Sequence, residues 1–241
     1  MRKNAQPFRL VVFDLDGTLV DTLTDITIAV NRMLKDLSLP PRPKTEVRRL
    51  IGHGVEELIG RIVGTEKGPL LDRALDLFLD YRAQAGARHC RLYPGVRETL
   101  QSLRGRKLAV VSNGRKMLVD LVLEATGIAD YFQAALGGDS VQCRKPSPCP
   151  LLQLIKELGM AAPSALMVGD MIVDIQTGKA AGITTCAVTY GFGESKDLRA
   201  AGADYLIDGI AELLPIVHGI GFKPARPLKF NRESRESSRM E

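Results

Sequence analysis

From residue 94 onward the chain alternates between short apolar runs and stretches of helical spacing, and no other feature constrains the fold as tightly. Strand-like runs fall at 107–112, 134–136, 165–168, 184–188 and 205–207, with helical patterns at 95–103, 116–125, 148–158, 174–181 and 211–217. Strands and helices joined by short connections imply right-handed crossovers and a parallel sheet. The expected class is therefore α/β, a doubly wound parallel sheet. One more strand-like run, Leu10-Val11-Val12-Phe13, stands upstream, cut off from the others by a long stretch without strand character. That stretch reads as helix at 21–37, ending at Leu39-Pro40-Pro41, then again at 45–51, 55–63 and 69–84 with glycines between. An all-helical insert between two strands of one sheet has to bury its own apolar faces. The expected organisation is thus a sheet core from 1–20 and 92–222, an inserted helical cap at 21–91, and a polar tail at 223–241.

Composition narrows the functional classes. At 241 residues, 45% hydrophobic and 25% charged, the chain is ordinary for a globular protein. No apolar run approaches the roughly 18 residues of a membrane span, and after Arg2 and Lys3 no signal-like apolar region follows. A cytoplasmic location is expected. The formal charge of +5 is concentrated at the end: residues 221–241 carry six basic side chains and three acids, a net +3, which leaves +2 for everything before. With two prolines, three serines and no amphipathic pattern, this segment reads as a solvated, disordered extension. Neither nucleic acid nor a membrane surface is an expected partner. Cys90, Cys143, Cys149 and Cys186 show no CxxC pair or metal-finger spacing, so reduced thiols are expected, with Cys186 in the core.

The first strand ends in Asp14-Leu15-Asp16-Gly17. Residues two apart in an extended chain face the same side, so both carboxylates address one small volume. Crowded carboxylates raise a pKa or take a cation, and Mg²⁺ fits as a hard ion that prefers oxygen ligands. The strand at 107–111 ends in Ser112-Asn113-Gly114, a hydroxyl, an amide and an open N–H suited to phosphoryl oxygens, or simply a helix cap and turn. Lys145, held by Pro146, supplies a fixed ammonium, and the run Gly169-Asp170-Met171-Ile172-Val173-Asp174 adds two acids one helical turn apart. Acids in a first turn can also be mere dipole partners.

In order and in position at strand ends, these residues resemble the four motifs of the haloacid dehalogenase-like hydrolase superfamily: Asp-x-Asp-Gly-Thr, a strand ending in Ser, Lys-Pro-x-Pro, and Gly-Asp-x-x-x-Asp. The resemblance runs from Phe8 to about Leu214. It implies a Rossmann-like core, Asp14 as nucleophile, Asp16 as general acid and base, and Lys145, Ser112, Asn113 and Gly114 around the phosphoryl group. It further implies Mg²⁺ held by Asp14, Asp170 and Asp174, with Asp16 contributing its backbone carbonyl; Asp174 acts directly, through water, or by orienting Lys145. The acid at position 16 favours phosphate esters over dehalogenation or phosphonate cleavage.

The segment Arg48-Arg49-Leu50-Ile51-Gly52-His53-Gly54 resembles the Gly-x-Gly cap segment of phosphoglycolate phosphatases. It implies a small phosphorylated metabolite as partner, 2-phosphoglycolate first, with His53 or a nearby arginine as the candidate for its carboxylate; Arg48 and Arg49 otherwise read as solvated helix charges, and Arg144 as solvated. The alternatives are pyrophosphate or another phosphomonoester, a β-phosphoglucomutase-like isomerase, and a phospho-Asp binding switch. A phosphoglucomutase would have Arg soon after the Gly-Val pair, where Gly54-Val55 is followed here by Glu56-Glu57. A monomer or homodimer is expected.

Overall fold

The computed structural model describes residues 8–220, so the basic segment 223–241 lies outside the described residues. In chain order the elements are β1 (Leu10–Phe13), β2 (Val20–Asp21), α1 (Leu23–Asp36), α2 (Lys44–Leu50), α3 (Val55–Val63), α4 (Pro69–Ala85) and β3 (Arg91–Leu92). There follow α5 (Val96–Ser102), β4 (Lys107–Val111), α6 (Lys116–Ala125), β5 (Ala134–Leu136), α7 (Cys149–Glu157), β6 (Ala165–Gly169), α8 (Ile172–Ala180), β7 (Thr184–Val188), α9 (Ser195–Ala200), β8 (Tyr205–Ile207) and α10 (Leu213–His218). Six strands form one parallel sheet in the order β5-β4-β1-β6-β7-β8. The chain winds outward from β1 in one direction, then returns to wind in the other. β1 is therefore the point where strand order reverses, and the crevice beyond its carboxyl end is where such sheets bind ligands.

The sheet is buried on both faces, which is why β1 is apolar throughout rather than alternating. Leu10 and Val12 pack with Ala109, Val111 and Met167 beneath α7, whereas Val11 and Phe13 pack with Val110, Val168 and Val188 on the opposite face. The helices of the insert build a separate cluster of their own. Leu23, Ile26, Val30, Met33 and Leu34 of α1 recur at helical spacing and meet Leu58, Ile59, Ile62, Ala74 and Phe78 of α3 and α4. Phe192, from the loop after β7, is the one buried core-side residue in this cluster among the described residues.

The crossing between the two parts differs from the sequence expectation. Val20 and Asp21 form a strand rather than the start of a helix, paired antiparallel with Leu92 and Arg91. Asp21 Oδ1 accepts the Leu23 N–H at 3.1 Å, so α1 begins two residues late. α8 begins at Ile172 rather than Asp174. The helix α9 was not expected, because only Leu198 of its six residues is buried and so short a segment shows no period.

The expectation of four reduced thiols is corrected. Cys90 and Cys186 are free and buried, but Cys143 and Cys149 form a disulfide. Their Cα atoms lie 6.2 Å apart, within bridging range, although the spacing resembles no redox motif.

Candidate active site

Three adjacent strands end at one edge, and each ends in a polar residue. β1 delivers Asp14, β4 delivers Ser112 and Asn113, and β6 delivers Asp170. The Asp14 N–H still donates to Val168 O at 2.8 Å and the Ser112 N–H to Leu136 O at 2.9 Å, so these side chains are set by the sheet itself.

Lys145 reaches the same point from the loop between β5 and α7. Its Nζ lies 2.8 Å from Asp14 Oδ1 and 2.7 Å from Asp174 Oδ1, almost fully buried. Burial works against this ammonium, but Asp14 and Asp174 outweigh it and hold the lysine above its usual range. Asn113 fixes the Lys145 backbone, its Oδ1 accepting the Lys145 N–H and its Nδ2 donating to Lys145 O, both at 2.9 Å. Asn113 Nδ2 also donates to Gly52 O of the insert at 2.9 Å.

Asp170 is fully buried and accepts the Thr18 hydroxyl and the Phe192 N–H, each at 2.7 Å. Asp174 Oδ2 accepts the Met171 N–H at 2.9 Å, which ties the carboxylate to the first turn of α8. Both residues rest against glycine. A Cβ on Gly17, whose φ is +90°, would lie 2.3 Å from Asp170 Oδ2, and one on Gly169 would lie 2.3 Å from the Asp174 carboxyl carbon. Ligand oxygens of Asp14, Asp170 and Asp174 all fall within 4.8 Å of one another. Burial, then Asp14 and Asp174, push the Asp170 carboxyl well above its ordinary value. With three carboxylates and one lysine, the donor set is all oxygen and short of positive charge, so it fits a hard divalent cation.

The Asp16 carboxylate stands outside this cluster. Its Oδ1 accepts the Thr22 hydroxyl at 2.5 Å and its Oδ2 the Ser112 hydroxyl at 3.4 Å. Burial raises its pKa, the Thr22 bond partly offsets that, and Asp14 adds to the rise. An acid held towards its protonated form is suited to giving a proton. The Gly114 N–H donates to Ser112 Oγ at 3.0 Å.

Asp14, Asp16, Ser112, Asn113, Gly114 and Lys145 line one cavity of about 70 Å³ between sheet and insert. His53 does not line that cavity; it lines two neighbouring grooves, one shared with Arg144 and Lys145 and the other with Gln176. Two of the charges read as solvated are engaged instead. Arg48 donates to Gly191 O at 2.7 Å and Phe192 O at 3.2 Å, and Arg144 pairs with Glu56 at 2.8 Å, with Arg115 on the same carboxylate. Each contact crosses from the insert to the core, which a single sequence cannot display. Thr22 and Arg82 also escaped notice. Arg82 had a signal: it continues the stripe Leu71, Ala74, Phe78 on the buried face of α4.

The family model for haloacid dehalogenase-like hydrolases matches residues 11–188. A curated relative from Vibrio parahaemolyticus, named phosphoglycolate phosphatase, is 36% identical over 221 residues, which is 88% of this chain and 97% of its own length. Another of that name from Pseudomonas putida is 36% identical, covering 86% of this chain and 79% of its own. The solved structure of a predicted phosphoglycolate phosphatase from Haemophilus somnus aligns with a TM-score of 0.82 at 34% identity, over 87% of this chain and 97% of that one.

Proposed function

The chain belongs to the haloacid dehalogenase-like hydrolase family, and on that premise we propose that it is a phosphatase for 2-phosphoglycolate working through an aspartyl phosphate. The observation that carries the reading is the Lys145 ammonium, 2.8 Å from Asp14 at the floor of a small cavity shared with Asp16, Ser112 and Asn113. Asp14 attacks phosphorus opposite the leaving oxygen, forming a carboxyl–phosphate bond as the ester P–O bond breaks. Asp16, held towards its protonated form, gives its proton to that oxygen, and glycolate departs. The Asp16 carboxylate then takes a proton from water as the water attacks phosphorus, releasing phosphate and restoring Asp14. Lys145, the Ser112 hydroxyl and the Asn113 and Gly114 amides surround the phosphoryl oxygens and disperse their charge.

Mg²⁺ is the proposed cation, held by Asp14, Asp170 and Asp174 with the Asp16 backbone carbonyl. Bound there it would draw further charge from the phosphoryl oxygens. Residues 21–91 act as a cap that closes the cavity against water, joined to the core 8–20 and 92–220 through β2 and β3. No helix among the described residues is long and apolar enough to cross a membrane. A small phosphorylated metabolite as substrate is the ground for placing the enzyme in the cytoplasm.

The test is phosphate release with Mg²⁺ from 2-phosphoglycolate, pyrophosphate, sugar phosphates and nucleoside monophosphates, repeated with EDTA. A preference for 2-phosphoglycolate that EDTA abolishes is expected. Broad release without that preference removes the substrate assignment, and no release from any compound removes the phosphatase.

A further inference from the structure

Arg82, near the end of α4, is a charge without a partner. It is 2% exposed, its Nη1 has no hydrogen-bond partner, and no carboxylate forms an ion pair with it among the described residues. Arg42 and Arg115 also carry an unpartnered nitrogen, but each pairs with a glutamate through its terminal nitrogens. The acids that feel the Arg82 charge are already engaged. Asp25 accepts from His89 and Cys90, and Asp16 accepts from Thr22 and Ser112. A buried lysine or histidine would escape the cost of its charge by losing a proton, but a guanidinium cannot. The charge is permanent; Asp16 and Asp25 lie near enough to feel it, but among the described residues neither forms a hydrogen bond or a close ion pair with it.

Its location says what kind of anion is missing. Arg82 lines the same cavity as Asp14, Asp16 and Lys145. Ile26, Ile51, Val55, Leu58 and Phe78 form most of the wall that the insert contributes, and Arg82 is the one charged side chain the insert brings there among the described residues. The phosphoryl group is served by the core. What remains is one planar fork of donors in an apolar wall, which matches a carboxylate held by two parallel hydrogen bonds and offers little to the hydroxyls of a sugar.

We propose that Arg82 is the residue that selects the substrate by binding its carboxylate, the role for which the sequence suggested His53. The inference rests on the reading of the enzyme as a phosphatase for a carboxylate-bearing ester. Binding completes the guanidinium's missing ion pair, and a phosphomonoester without the carboxylate leaves Arg82 buried and unpaired. Discrimination therefore has two sources, the attraction of the new ion pair and the desolvation cost that the wrong ester leaves unrelieved.

The test compares kcat/KM for 2-phosphoglycolate with that for ethyl phosphate, which has the same carbon count and no carboxylate, in the wild type and in Arg82→Gln and Arg82→Lys. The wild type should favour 2-phosphoglycolate. In Arg82→Gln the ratio should fall by about 100-fold, the size of a truncated buried charge pair. Arg82→Lys, with the charge but not the fork, should lose about tenfold. A purely structural role would lower both substrates together and leave the ratio in place, which overturns the inference. Should Arg82→Gln not fold, the ratio in Arg82→Lys decides, and an unchanged value there is equally fatal. A wild type indifferent between the two esters overturns this inference and the substrate assignment together. If the wild type prefers a different carboxylate-bearing ester and Arg82→Gln loses that preference, the substrate assignment falls and the role of Arg82 stands.

Discussion

Asp25→Asn tests how the insert is fastened to the core. Asp25 lies in the first turn of α1 and is 1% exposed. Its carboxylate accepts the His89 N–H at 3.0 Å and the Cys90 thiol at 3.1 Å, and the His89 ring nitrogen lies 2.7 Å away. His89 and Cys90 lead directly into β3, whose partner β2 precedes α1, so one carboxylate holds together the two strands through which the chain enters and leaves the insert. Asparagine keeps the shape but replaces one acceptor oxygen with an NH₂ that faces a donor. Losing a hydrogen bond to a charged group costs about 1.5–3 kcal/mol, and an unmatched buried donor costs about 1–3 more, so about 3 kcal/mol is expected. In a protein of this size that is a fall in Tm of about 6–12 °C. The pH dependence has a definite sign. Burial alone would raise the Asp25 carboxyl, but the His89 and Cys90 donors outweigh it and hold it below the ordinary value of 3.8. Its contribution is then complete above the unfolded carboxyl's pKa and is lost as pH falls through the lower folded value. Urea unfolding of both proteins from pH 6 down to pH 3 should show the gap narrowing. Tm values within about 1 °C at pH 7, or a gap that holds or widens on acidification, would refute the reasoning.

Three further outcomes are expected. Asp14→Asn should stay folded, because Asp174 still lies 2.7 Å from Lys145, while kcat falls by at least about 10³-fold in steady-state phosphate release; retained turnover sinks the nucleophile assignment. Glu56→Gln removes the carboxylate that Arg115 and Arg144 share across the boundary between insert and core. Both arginines are partly exposed, so KM should rise only about two- to fivefold, and the effect should shrink as salt is added; a KM that does not move would show that the pairs play no part in closure. Cys143→Ser should lower the free energy of unfolding by about 2 kcal/mol, the value for so short a loop, and dithiothreitol should reproduce the loss in the wild type but not in the variant.

What could be read in the sequence was whatever the backbone alone decides. A strand buried on both faces must be apolar, so β1 and β4 announced themselves, and the polar residue at which each run stops is by construction at the sheet's carboxyl edge. Asp14, Ser112, Asn113 and Asp170 were therefore found without knowing which strands are neighbours. Asp174 followed because helical periodicity returns it to Asp170, and Gly169 leaves the space its carboxylate fills. Lys145 was legible only through its proline context, since the loop that carries it has no period.

Contacts between the insert and the core were not legible, because they depend on how two separately folded surfaces meet. Arg48, Arg144 and Glu56 sit on exposed-looking positions of their own elements, and the partners that engage them lie 59 to 144 residues away in the chain. His53 stands outside the cavity for the opposite reason. Flanking glycines advertised a close approach, and the approach exists, but through the Gly52 carbonyl to Asn113 rather than through the imidazole. Arg82 is the informative case. A charge on the apolar stripe of an amphipathic helix contradicts the local pattern, and such contradictions are tolerated where function requires them. Read locally it is an imperfection in α4; set against a cavity that already holds Asp14 and Lys145, the same residue is the only charged group on the insert's side of that cavity among the described residues.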